Sequence, residues 1–137
     1  MAGLGRARVS LRVFGDDLEP DEITKLLGCA PTSAGRKAEA RQGGAERTYL
    51  WRTGSWLLSI DDCAPGDLDV QIKALLATVT DDLGVWRDIL GRYRCDLFCG
   101  LFMSEGNEGA ELEPETLEML GARGLRLDLD IYGPTED

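Results

Sequence analysis

Apolar and polar residues alternate along residues 7–14, ARVSLRVF: Val9, Leu11 and Val13 share one face, Ser10 and Arg12 the other. A period of two marks a strand with one buried and one wet face. The cleanest alternation comes last, in LRLDLDIY at 125–132. There Leu125, Leu127, Leu129 and Ile131 are expected to point inward, and Arg126, Asp128 and Asp130 outward. The segment YRCDLFCGLFM at 93–103 is apolar on both faces, as in a central strand: Cys95, Leu97, Cys99 and Leu101 lie on one side, Phe98 and Phe102 on the other. Two shorter strands are expected near 47–53 and 55–60, joined at Thr53-Gly54.

Other stretches follow helical spacing. Leu68, Ile72, Leu75, Leu76, Val79, Leu83, Trp86 and Leu90 recur at intervals of three and four, in one helix or in two that break near Thr78–Asp82. Ile23, Leu26 and Leu27 form a shorter stripe, and Leu117 and Leu120 a third. The string LEPDEITKLLG at 18–28 returns as LEPETLEMLG at 112–121. Proline in the first turn, early acidic residues and spaced leucines all suit a helix start, so each copy reads as an entry into a helix. Gly28 suits the stop of the first. Residues 29–46 are small, polar and Gly-rich, and read as a long loop.

The order is therefore β-α-β-β-α-β-α-β. It predicts an α+β two-layer sandwich: an antiparallel or mixed sheet of about five strands, helices on one face, in a ferredoxin-like variant. The 137 residues fit one domain spanning 1–137. Hydrophobic residues at 43% and charged residues at 29% are a globular balance.

Charge and chemistry narrow the function classes. The net charge of −10 favours solubility and repels nucleic-acid backbones and anionic membranes. No run approaches the roughly 20 apolar residues of a membrane span, and MAGLGRARVSLRVFG lacks an apolar stretch of signal-peptide length. A cytoplasmic location is expected. Histidine is absent, which removes Ser-His-Asp and Cys-His mechanisms and most zinc or non-haem iron sites. Neither GxGxxG nor GxxxxGK[ST] occurs. Cysteines 29, 63, 95 and 99 match no zinc spacing and read as reduced thiols, with Cys95 and Cys99 facing the core. Asp128 and Asp130 have the acidic-x-acidic spacing that can hold Mg²⁺, but also suit the wet face of a strand. No catalytic residue, metal or cofactor is assigned.

Two surfaces remain. Residues 29–52 carry five cationic side chains against two anionic ones, a local +3 in an acidic chain. Arg36, Lys37 and Arg41, with Trp51 or Trp56 as a wall, form a candidate small-anion site, for binding or for an enzyme. The outer sheet face is the second: Phe98, Phe102 and Tyr132, together with Phe14, have the parity to point away from the helices.

The pieces GDDLEPDEITKLLG, PT at 31–32, RK at 36–37, GSWLLS at 54–59, TVTDDLGVWRDIL, DLFCGLFM and RGLRLDLDIYG together resemble the bacterial domain-of-unknown-function family numbered 4279. The resemblance spans nearly the whole chain and implies a small bacterial cytoplasmic α+β domain, with no activity to carry over. Members often have Gly after the basic pair, where this chain has Ala38, which calls a tight turn there into question. The expected function is a non-catalytic module that binds a protein partner or itself, in one version an acidic immunity-like protein masking a basic toxin. The alternative is the small-anion site of the basic loop.

Overall fold

In the computed structural model, residues 2–42, 48–50 and 52–135 are described. The alternating run at the start forms the middle of the sheet. The elements in order are β1 (Ala2–Gly3), β2 (Arg6–Gly15), α1 (Pro20–Leu27), β3 (Ser33–Gly35), β4 (Ala40–Gln42), β5 (Thr48–Leu50), β6 (Gly54–Ser59), α2 (Leu68–Ala77), α3 (Leu83–Arg92), β7 (Arg94–Phe102), β8 (Glu108–Gly109), α4 (Pro114–Arg123) and β9 (Arg126–Tyr132). Five strands form one mixed sheet in the order β3-β6-β2-β7-β9. β2 is antiparallel to both β6 and β7, and β9 runs parallel to β7. The last pair departs from a split βαβ ferredoxin sheet: β9 lies directly beside β7, joined by α4, with no strand between them. β1 pairs with β8, and β4 with β5, in two small ladders.

Helices cover one face of this sheet, giving the two-layer α+β sandwich the pattern predicts. Register explains the core. Leu11 sits opposite Leu58 and Leu97, and Val13 opposite Trp56 and Cys95, so one side of every central strand is apolar. Ala7, Val9, Leu11, Val13, Trp56, Leu97 and Cys99 are buried there against Ile23, Leu27, Ile72, Leu75, Leu76, Trp86 and Ile89.

The repeated string opens α1 and α4 alike. Pro20 and Pro114 occupy the first turn, after Glu19 and Glu113 with extended backbones. The stops differ. α1 ends at Gly28 with φ 76°, whereas α4 runs through Gly121 and ends at Gly124 with φ 72°. Both are left-handed positions where glycine has no Cβ to clash. The long apolar run is two helices. Asp67 caps α2 by accepting from the Val70 N–H at 3.3 Å, and Asp82 caps α3 by accepting from the Gly84 N–H at 2.9 Å.

Two expectations are corrected. Residues 29–46 are not loop throughout: Ser33–Gly35 add an edge strand to β6, and Ala40–Gln42 pair with Thr48–Leu50. Leu129 and Ile131 share the helix side with Cys99 and Leu101, but are 45% and 58% exposed. β9 is the outermost strand, and the helical layer does not reach over its end.

Candidate binding site

The face of the sheet away from the helices is built by the second set of alternating residues. β2 presents Arg6, Arg8, Ser10, Arg12 and Phe14; β7 presents Arg94, Asp96, Phe98, Gly100 and Phe102 beside them. β6 adds Leu57 and Ser59, and β9 adds Arg126, Asp128, Asp130 and Tyr132. Five arginines thus meet three aspartates on one face of a chain with net charge −10.

Arginine and aromatic rings interleave. The Arg6 guanidinium lies 3.9 Å from the Phe102 ring centroid, and Phe102 stacks on Tyr132 at 4.9 Å with rings 5° from parallel. Arg12 lies 4.4 Å from the Phe98 centroid and 5.4 Å from that of Phe14. Such contacts hold flexible arginines in fixed positions. Arg12 also donates to both oxygens of Asp96 at 2.7 Å each and reaches Asp128 at 3.5 Å. The hydrogen bond to Asp96, then the charges of Asp96 and Asp128, outweigh desolvation and raise the Arg12 pKa. This bidentate fork is about a quarter exposed on the arginine side and less on the aspartate side. Arg6 pairs with Asp62, which also lies 3.6 Å from Arg8. The Tyr132 hydroxyl donates to Asp130 at 2.5 Å, and that bond raises its pKa.

Between these walls the floor is small. Ser10 and Ser59 hydroxyls pair at 2.7 Å across the strands, and Gly100 leaves a gap between Phe98 and Phe102. The result is a hollow of about 330 Å³ lined by Arg8, Arg12, Leu57, Phe98, Phe102 and Tyr132 around that floor. Flat apolar rings, oriented cations and paired hydroxyls suit recognition of a ligand group with both a ring or aliphatic face and an anionic or hydroxylated edge.

The basic loop is arranged differently. Arg36 donates to Glu19 at 2.6 Å, and Lys37 to Asp16 at 3.1 Å, so both cations are engaged at the start of α1. Thr53, then Lys37, hold the Asp16 carboxyl below its usual range. Trp56 is fully buried and donates its indole N–H to the Thr24 hydroxyl at 3.0 Å. The structure therefore makes Trp56 part of the core rather than a wall beside Arg36 and Lys37. Arg41 lies on β4, and Trp51 lies outside the described residues. The tight turn forms despite Ala38: its φ is 63°, and the Glu39 N–H returns to the Arg36 carbonyl at 3.1 Å. Phe98, Phe102 and Tyr132, by contrast, come together around one hollow. Sequence pattern places Ser10 and Arg12 on that face, but Ser59 and Gly100 carry no signal until strand register aligns them with it.

The thiols are sorted by burial. Desolvation, then the Asp96 charge, pushes Cys95 up to about 12; desolvation, then Asp128 and Asp96, does the same for Cys99. Both thiols stay protonated at neutral pH, and their raised values make stability fullest below about pH 9 and progressively lost as pH climbs toward 12. Cys63 is exposed. In the native protein a thiol reagent should therefore label Cys63 rapidly and leave Cys95 and Cys99 unlabelled until denaturant is added. Fast native labelling of Cys99 would contradict its placement.

The fold and this face define a class: a small α+β domain with an open sheet surface of interleaved arginine and aromatic residues. The model of the domain of unknown function DUF4279 matches residues 6–134, and the chain belongs to that family. Comparison with curated proteins and with solved structures finds no match. Among the described residues, no helix is long and apolar enough to cross a membrane.

Proposed function

We propose that the protein is a non-catalytic, cytoplasmic binding module that engages a protein partner through the outer sheet face around Phe98, Phe102 and Tyr132. The observation that carries this reading is the hollow floored by Ser10, Ser59 and Gly100. Phe98 is packed against Arg12, and Phe102 between Arg6 and Tyr132, before any partner arrives, and such preorganised anchors lose little freedom on binding. Aromatic residues and arginine are also the residue types enriched at the centres of protein interfaces.

Two substitutions test this without touching the core. Arg8→Glu reverses the charge over the hollow. Gly100→Val fills its floor, where a new Cβ would meet only the Phe102 ring edge, at 3.3 Å. A partner captured by the wild-type chain should bind each variant at least about tenfold more weakly, roughly 1.4 kcal/mol, with circular dichroism unchanged. Equal capture by all three would reject the face.

A second reading keeps the site but changes the ligand. Arg8, whose only ion-pair contact among the described residues is 3.6 Å from Asp62, and the serine pair suit a small anion, whereas Arg12, Arg36 and Lys37 are already held by carboxylates at 2.6–3.1 Å. A thermal-shift screen of phosphates, nucleotides and carboxylates separates the two: a rise that Arg8→Glu abolishes favours the small anion, and no rise favours the protein partner.

A further inference from the structure

β9 is the last strand of the sheet, and no strand among the described residues lies beyond it. An edge strand offers a row of unpaired main-chain groups on its outer side. This edge also carries apolar side chains: Leu129 and Ile131 are 45% and 58% exposed on the helix side. On the other side, at a spacing of two, stand Asp128 and Asp130. The edge is thus two-faced: apolar on one side, and on the other a pair of carboxylates flanked by Arg126 and Tyr132, with Asp128 3.5 Å from Arg12 and Asp130 accepting from the Tyr132 hydroxyl.

Charge decides what fits. In an antiparallel pair, residues directly opposite project to the same side, so a second copy related by a two-fold axis must centre its pairing on a residue. Centring on Leu129, the middle of β9, sets Asp128 against Asp130 twice. Centring on Asp130 or on Asp128 sets that carboxylate against itself; the Asp128 register does bring Arg126 opposite Asp130. Centring on Leu127 sets Arg126 against Asp128 twice, and centring on Ile131 sets Asp130 against Tyr132 twice, but each of these registers overlaps only three residues of β9. Like charges directly opposite are destabilising. A foreign strand with cations opposite Asp128 and Asp130, and none opposite Arg126, meets no such conflict and gains an opposite-charge pair at both aspartates.

We propose that the free edge of β9 is a strand-addition site for a partner segment in which apolar residues alternate with lysine or arginine. Its apolar side chains cover Leu129 and Ile131, its cations face Asp128 and Asp130, and its backbone extends the sheet. The net charge of −10 draws such a segment in. This deepens the protein-binding reading and rests on it.

The test uses the full chain with two synthetic peptides, acetyl-Val-Lys-Val-Lys-Val-Lys-Val-amide and its glutamate counterpart, followed by amide chemical-shift mapping. The lysine peptide should perturb residues 126–132, bind about tenfold more tightly than the glutamate peptide, and lose that preference in the Asp128→Lys/Asp130→Lys variant. Perturbation elsewhere, equal binding of both peptides, or no binding of either overturns the proposal. A second measurement needs no peptide. Wild type should sediment as a monomer, whereas Asp130→Lys alone should self-associate, because the Leu129-centred register then sets Asp128 against the introduced lysine twice. A wild-type dimer that Asp130→Lys weakens would mean that a second copy occupies the edge through Arg126 and Asp130, and would overturn the foreign-strand assignment. Failure of both measurements, with partner capture still sensitive to Arg8→Glu, would sink the edge and leave the outer face standing.

Discussion

Trp86→Ala should lower stability by about 3–5 kcal/mol, with the midpoint of thermal unfolding falling by roughly 10–20 °C for a chain of this size. Trp86 is fully buried on α3, and its indole N–H donates to the Thr80 carbonyl at 2.8 Å. That bond ties α3 to the short connection from α2. On the other side, the Arg123 guanidinium of α4 lies 5.9 Å from its ring, and Arg123 is itself buried. Removing the indole opens a large cavity, orphans a carbonyl and leaves a buried cation without its ring. Trp86→Phe keeps most of the volume and should cost less, about 1–2 kcal/mol, mainly for the lost hydrogen bond. Chemical denaturation measures both. Leu129→Ala is the contrast: the same apolar pattern marks it, yet it is half exposed, and it should cost no more than about 0.5 kcal/mol. Equal losses at Trp86 and Leu129 would contradict the packing.

Arg12→Met should cost about 2–3 kcal/mol, a value below that of fully buried pairs because the fork keeps some contact with water. The damage comes less from the lost attraction than from the aspartate left behind: Asp96 sits mostly shielded, two positions of β7 from Phe98, with Asp128 close by. The methylene stem of the methionine preserves much of the packing between Phe14 and Phe98. Asp96→Asn in the Arg12→Met background should therefore recover a large part of the loss, giving a coupling energy of about 1–2 kcal/mol in a double-mutant cycle. Additive losses would mean that Arg12 acts through ring packing alone and that the fork does not hold the face together.

The elements that sequence makes legible are those whose burial follows one period. β2, with Val9, Leu11 and Val13 against Ser10 and Arg12, is readable because one of its faces packs and the other does not. The break between α2 and α3 is foreshadowed by Asp81-Asp82, and Asp82 becomes the cap. β3 is not legible: Ser33–Gly35 has no alternation, and main-chain pairing to β6, with Ala34 packed against the core, holds it. Leu129 and Ile131 show the limit of periodicity. It names the side a residue faces, but not how far the covering helices extend. Trp56 shows a different limit. Proximity to the basic loop suggests a ligand wall, while its register opposite Val13 assigns it to the core.

The outer face is half legible for the same reason. Parity places Phe98, Phe102 and Tyr132 there, and the structure adds what only cross-strand register supplies. Ser10 pairs with Ser59, and Gly100 opens the space between two rings. The loop cations point the other way in this comparison. Arg36 and Lys37 stand out in sequence because their neighbours are neutral, but Glu19 and Asp16 reach them from 17 and 21 residues away.

The most direct measurement is a map of amide and side-chain shifts in the labelled chain as its captured partner is added. Partner contact should concentrate on Arg8, Ser10, Phe98, Gly100, Phe102 and Tyr132. A footprint confined to the helices or to the turn around Arg36 and Lys37, with those six residues unmoved, would show that the open side of the sheet is not where this protein works.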